Sequence, residues 1–218
     1  MKELIQKTKD FLDKDFLKLF LVYLATLFFF FGVAYFLFAG SLIYKIDFSI
    51  QESIFSLRGD GLTDFMKFVT NFGDKIIVFP LTFFIILYLF FKRKYDFLLA
   101  LVSSAFVSAA TVYLTKLLFA RERPADALIF VDGFSFPSGH AMVAIAFYGI
   151  LTYFAYTSSK YAFERYLSVF VGLSVIILVS FSRLYLGVHF PSDVFFSIIF
   201  SGVWLLMVIY KVEIQKHK

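Results

Sequence analysis

Two histidines, one aspartate and three cations stand at spacings that suit phosphoryl chemistry. His189 and Asp193 are four residues apart, with Pro191 between them. Proline is favoured in the first turn of a helix, so a helix starts near Pro191 and His189 sits at its mouth. As a catalytic pair, Asp193 accepts the Nδ1–H of His189 and leaves Nε2 free to attack. As a metal site, His140, His189 and Asp193 are donor types that hold zinc. Lys116 and Arg123 are seven residues apart, or two helical turns, and so face one way from the end of a helix that Pro124 terminates. Arg183 adds a third cation. Three converging cations repel a metal ion but stabilise a dianionic phosphate, whose oxygens match the arginine forks. They therefore favour the catalytic pair. Pro137-Ser138-Gly139-His140 completes the set. Ser138 suits a helix N-cap, Gly139 permits close backbone approach, and the N–H groups of a helix start attract anions. Taken singly, Lys116 reads as a helix-end cation and the Pro-Ser-Gly-His stretch as a capped turn. That reading fails for three cations beside two histidines.

The elements that must position these residues are membrane helices. Of 218 residues, 61% are hydrophobic and 17% charged, and 34 are Phe. Soluble domains carry about 45–50% and about 25% respectively. Mean hydropathy is +0.84. An ordinary cytosolic enzyme and a disordered chain are both excluded. The absence of Cys removes disulfides, thiolate metal sites and a cysteine nucleophile. Six apolar segments approach the ~20 residues that cross a bilayer. They run Leu19 to Ala39, Ile76 to Phe91, Phe97 to Phe119, Ala141 to Thr157, Tyr166 to Phe181 and Val194 to Tyr210. The second is short and carries Pro80. Asp10, Asp13 and Asp15 in the leader, and an apolar run longer than the ~7–15 residues of a signal peptide, mark the first as a retained helix. The expected fold is an all-α integral membrane bundle of six transmembrane helices. It forms a single domain over residues 1–218, with cytoplasmic tails at about 1–15 and 211–218.

Orientation follows from charge. Six spans put both termini on one side, and that side carries 13 Lys and Arg against 8 on the other. Three of the eight are Lys116, Arg123 and Arg183. Positive charge marks the cytoplasmic side, so the termini lie there and the loops around 40–75, 120–140 and 182–193 face outward. The net charge of +5 thus belongs to span flanks rather than to nucleic-acid binding. In the first outward loop, Leu62, Phe65, Met66, Val69 and Phe72 fall on one helical face, with Thr63 and Asp64 at its start and Gly73 at its end. Ile46, Ile50, Ile54 and Leu57 form a weaker stripe. These short amphipathic helices either lie in the outer interface and guide a lipid, or pack as a lid on the bundle.

The arrangement K-x6-RP, then PSGH, then SR-x5-H-x3-D resembles the type 2 phosphatidic acid phosphatase (PAP2) superfamily. It is carried by Lys116, Arg123 and Pro124; Pro137 to His140; and Ser182, Arg183, His189 and Asp193. With the six apolar spans, the chain is similar to the membrane lipid phosphatase branch, especially small bacterial members. The resemblance implies that His189 is the nucleophile and forms a phosphohistidine, oriented by Asp193. His140 would be the general acid and then the base that activates water. Lys116, Arg123, Arg183, Ser138 and the Gly139 N–H would hold the phosphate. Neither metal nor cofactor is implied. Ser182 belongs to the motif, and a structural hydroxyl at a helix end serves equally well.

The function expected is therefore a phosphatase acting at the outer leaflet on a lipid phosphate or pyrophosphate. Candidates are phosphatidylglycerol phosphate, undecaprenyl pyrophosphate and phosphatidic acid. Its partners are that substrate and membrane lipids, with no nucleic acid and no obligate protein. A phosphoryl transferase with a lipid or sugar acceptor would use the same residues. A transporter would place ionisable groups near mid-membrane, whereas these spans are clean of charge except near their ends.

Overall fold

The structure, a computed structural model, describes residues 2–216. Met1, His217 and Lys218, which belong to the expected tails, lie outside the described residues. Among the described residues, nine α-helices follow in order: α1 (Lys2–Phe11), α2 (Lys14–Ala39), α3 (Ser41–Phe55), α4 (Asp60–Thr70), α5 (Lys75–Phe91), α6 (Tyr95–Phe119), α7 (Gly139–Ser158), α8 (Ala162–Tyr185) and α9 (Pro191–Lys216). A 3₁₀ turn, Asn71–Gly73, joins α4 to α5. No strand occurs among the described residues. Helices α2, α6, α7, α8 and α9 are each long and apolar enough to cross a membrane. At 17 residues, α5 is about 25 Å long at 1.5 Å per residue, short of a ~30 Å hydrocarbon core. Taken together with α4 and the turn between them, from which it bends by 41°, it is apolar enough to count as a sixth candidate span.

The bundle is built for lipid rather than water. Phe28, Phe36, Phe106 and Phe170 point outward, at 69–82% exposure. Trp204, Phe200, Phe136 and Ile150 fill the interior. Hydroxyls join helices there: Tyr23 meets Thr111 at 3.0 Å, and Ser201 donates to the Met142 carbonyl at 2.9 Å. Small residues allow close approach. A Cβ at Gly149 would lie 2.4 Å from Leu205, and one at Gly172 would lie 1.8 Å from Thr152.

The segments expected as tails are helical. Residues 2–11 form α1, which buries Phe11, and Lys7 pairs with Asp96 at 3.2 Å. Residues 211–216 continue α9, where buried Lys211 pairs with Asp13, the N-cap of α2, at 2.5 Å. The stripe on α3 divides. Ile46 and Ile50 face outward, whereas Asp47, Gln51 and Ile54 are buried. In lipid the apolar face has no reason to turn inward, and the polar face finds partners in the protein. On α4, Met66 and Val69 pack inward as a lid would, while Leu62 and Phe65 stay exposed. That helix begins at Asp60, three residues before Thr63.

Candidate active site at the mouth of the bundle

Helices α6 and α8 run toward one end of the bundle and α7 and α9 run away from it. The C-termini of the first pair and the N-termini of the second therefore meet there. The loop 120–138 and the α4–α5 corner close over them.

His189 sits two residues before α9, which begins at Pro191 as its spacing indicates. It is buried. Its Nδ1 faces Asp193 Oδ2 at 3.6 Å, within ion-pair range and longer than a hydrogen bond. On the other side of the ring, Nε2 lies 3.3 Å from Arg123 Nη1. A guanidinium can only donate, so Nε2 must accept and the ring proton belongs on Nδ1, toward Asp193. Burial pushes the His189 pKa down to about 4; Asp193 opposes that shift and the Arg183 and Arg123 charges reinforce it. The imidazole is thus neutral at physiological pH.

The cations divide their work unevenly. Helix α6 stops at Phe119, and Ala120 takes the left-handed conformation at φ 43°. Arg123 therefore lies in the loop and not, as its spacing suggests, at the end of the same helix as Lys116. The two still converge, because both donate to the Phe134 carbonyl, at 3.1 and 2.6 Å. Arg123 also donates to the carbonyls of Asp132, Gly133 and Val188, so it shapes the loop as well as facing His189. Burial lowers its pKa, with Asp193 and Asp132 opposing. Arg183 is different. At 1% exposure it gives one hydrogen bond, to Thr70 Oγ1 at 2.6 Å, and its Nε and Nη2 have no partner among the described residues. A buried guanidinium with unpartnered donors suits an oxyanion.

His140, second residue of α7, faces Asp74 with Nε2 3.7 Å from Oδ2. Asp74 also caps α5 through Ile76 N. The neighbouring turn sits close on His140, since a Cβ at Gly73 would lie 3.1 Å from its side chain. Ser138 caps α7 through Ala141 N, and its own N–H donates to Ser197 Oγ at 2.9 Å. The residue expected to contact phosphate is thus fully buried and occupied in joining α7 to α9. The backbone of Gly139 stands at the first position of α7. Ser182 donates to the Val179 carbonyl within α8, a structural role.

Sequence reasoning passed over four residues around this mouth. Thr70 and Asp74 hold Arg183 and His140 from the α4–α5 corner. Arg121, counted as a loop cation, and Asp47 are buried and paired with each other at 2.7 Å. The only signal available was Asp47, a charge set between Ile46 and Phe48. A cavity of about 870 Å³ adjoins the mouth between α2, α3 and residues 118–126. Arg121 and Arg123 stand on its wall, and neither histidine lines it.

A family model of the PAP2 superfamily matches residues 96–216. The chain belongs to that superfamily. It is 34% identical to phosphatidylglycerophosphatase B of Bacillus subtilis over 158 residues, covering 70% of this chain and 76% of the relative. It is 29% identical to an undecaprenyl-diphosphatase of Sulfolobus acidocaldarius over 162 residues, covering 70% and 71%. Among solved structures, the PAP2-type phosphatidylglycerolphosphate phosphatase of Bacillus subtilis superposes with a TM-score of 0.71 at 26% identity, over 92% of this chain and 95% of that one. LpxE of Aquifex aeolicus shares the fold, with a TM-score of 0.59 over 76% and 94% of the two chains at 23% identity. This PAP2 protein is a multi-pass membrane phosphatase.

Two outcomes are expected. Arg183→Lys loses the fork and lowers kcat/KM by on the order of 10–100-fold, the equivalent of a charge-assisted contact worth about 1.5–3 kcal/mol. Wild-type kinetics in that variant contradict a phosphate-binding Arg183. In histidine-labelled free protein, the imidazole resonance missing from His189→Ala stays neutral down to about pH 5 by NMR, well below the ordinary value near 6.5. Titration at the ordinary value contradicts the buried neutral ring.

Proposed function

We propose that this PAP2 enzyme hydrolyses a lipid phosphate mono- or diphosphate ester at the outer leaflet through a phosphohistidine on His189. The observation that carries the reading is the contact of Arg123 Nη1 with His189 Nε2. It leaves the attacking nitrogen unprotonated and beside a cation that would hold the phosphate it attacks.

The Nε2 lone pair attacks phosphorus, the P–O bond to the leaving lipid alkoxide or lipid phosphate breaks, and the leaving oxygen takes a proton from His140, which enters the step as imidazolium and leaves it neutral. Water then attacks the phosphohistidine, gives a proton back to His140, and the P–N pair returns to Nε2. A monoester and water become alcohol and phosphate; a diphosphate and water become lipid monophosphate and phosphate. Asp193 faces the Nδ1–H and stabilises the positive ring. Lys116, Arg123 and Arg183 carry the charge that develops on the phosphoryl oxygens, with the Gly139 N–H at the α7 start beside them. Ser138 contributes by setting that helix start. The scheme needs no metal or cofactor. Relatives named for phosphatidylglycerophosphate and undecaprenyl diphosphate support these two substrates alongside phosphatidic acid. Excess Lys and Arg on the terminal side supports cytoplasmic termini and an outward mouth.

The test is phosphate release by detergent-purified protein from the three lipids, with and without EDTA and an alcohol acceptor. Release that survives EDTA and needs only water supports the reading; dependence on restored metal, or product found only on the alcohol, contradicts it. His189→Ala abolishes turnover. His140→Ala costs a lipid monoester about 10²–10⁴-fold, the scale of general acid catalysis, and costs p-nitrophenyl phosphate less, because its leaving group hardly needs a proton. Equal losses on both substrates contradict His140 as the acid. In intact cells, a cysteine placed at Asp132 is labelled from outside and one at Lys94 is protected. The reverse pattern overturns the orientation.

A further inference from the structure

We infer that Arg121 and Asp47 are positioning residues for the reaction: together they fix the carboxylate of Asp193 and, through it, the aim of His189. The inference rests on the reading of His189 as the nucleophile.

Arg121 lies between two buried carboxylates. Its Nη1 donates to Asp193 Oδ1 at 2.6 Å and its Nη2 to Asp47 Oδ2 at 2.7 Å, with side-chain exposures of 5%, 0% and 1% respectively. The other oxygen of Asp193, Oδ2, accepts the Phe190 N–H at 2.8 Å and faces His189 Nδ1. Both oxygens are therefore assigned, and rotation of the carboxylate would break both bonds at once. Arg121 cannot slide to relieve this. Its guanidinium carbon stands over the rings of both Phe38 and Phe190, at 4.4 and 4.2 Å from their centroids. Asp47 locks the far side and the first turn of α9 together. It accepts Ser192 N at 2.9 Å and Ser192 Oγ at 2.6 Å, and that hydroxyl also accepts from Arg121 Nη1 at 2.7 Å.

The competing account is a buried ion pair that merely docks α3. Docking needs Asp47 and Ser192 alone. It does not require that the same guanidinium reach the oxygen of Asp193 turned away from His189. A planar fork with donors on two edges can serve both carboxylates, whereas an ammonium cannot do so in that plane. The same geometry explains why α3 turns its polar face inward: an interfacial helix is tied through Asp47 to the carboxylate behind the nucleophile.

The test is rapid-quench measurement of phosphoenzyme formation by the full chain in detergent, using a ³²P-labelled short-chain phosphatidic acid. Arg121→Lys and Asp47→Asn should reach the wild-type amplitude, meaning the same fraction of competent enzyme. Their rate constants should fall about 10–100-fold, the scale seen when a partner that orients a reactive ligand is removed. KM should stay near the wild-type value, and Asp47→Glu should recover part of the rate. Reduced amplitude at a wild-type rate constant, or loss of folded protein in both variants, marks a purely structural pair and overturns the inference. His189→Ala in the same experiment keeps the two readings apart. Label retained there sinks the nucleophile assignment, whereas label lost there with wild-type rates in Arg121→Lys and Asp47→Asn sinks only the positioning role.

Discussion

An arginine has donors and no acceptor. Set 3.3 Å from His189 Nε2, Arg123 therefore decides where the imidazole proton resides. Everything else at the mouth is consistent with that one assignment. The proton lies on the side of Asp193, burial keeps the ring neutral, and the unshared pair points to where cations gather. The loop that carries Arg123 is held by its own guanidinium through four carbonyls, so the contact with His189 and the shape of the loop stand or fall together. Ground-state tautomer, loop conformation and charge at the mouth are thus one structural fact seen from three sides.

The membrane explains the distribution of the remaining polar groups. Long apolar helices can carry charge only near their ends, and here four helix ends bring Lys116, His140, Arg183 and Asp193 to one face. Neighbours from the α4–α5 corner and α3 hold three of these groups: Thr70 for Arg183, Asp74 for His140, and Asp47 with Arg121 for Asp193. The interfacial helices are therefore more than a cover. On α3, Asp47 and Gln51 turn inward while Ile46 and Ile50 turn outward, the inverse of a helix on a soluble protein.

That inversion also marks how far the sequence could be read. The six candidate positions stood out in the sequence because phosphoryl chemistry demands particular residue types at particular spacings, and the structure gathers them at one end of the bundle. The long spans were legible because only an unbroken apolar run crosses hydrocarbon. The stripe of Ile46 and Ile50 left two coverings open, since periodicity identifies an apolar face and says nothing of whether lipid or protein covers it. Helix α6 ends at Phe119, before the Pro124 that should have stopped it, because Ala120 turns left-handed and frees Arg123 to fold back on the loop. Thr70, Asp74 and Arg121 act through residues more than 60 positions away in the chain, and local spacing holds no trace of such pairings.

The central claim is that the phosphoryl group passes through His189. It is tested most directly by trapping the protein with substrate, digesting it under mildly alkaline conditions that preserve phosphohistidine, and locating the phosphoryl group by mass spectrometry. The account predicts the group on the peptide carrying His189, with none on that carrying His140. A phosphoryl group on His140, or hydrolysis with no covalent phosphate at any time point, would contradict it.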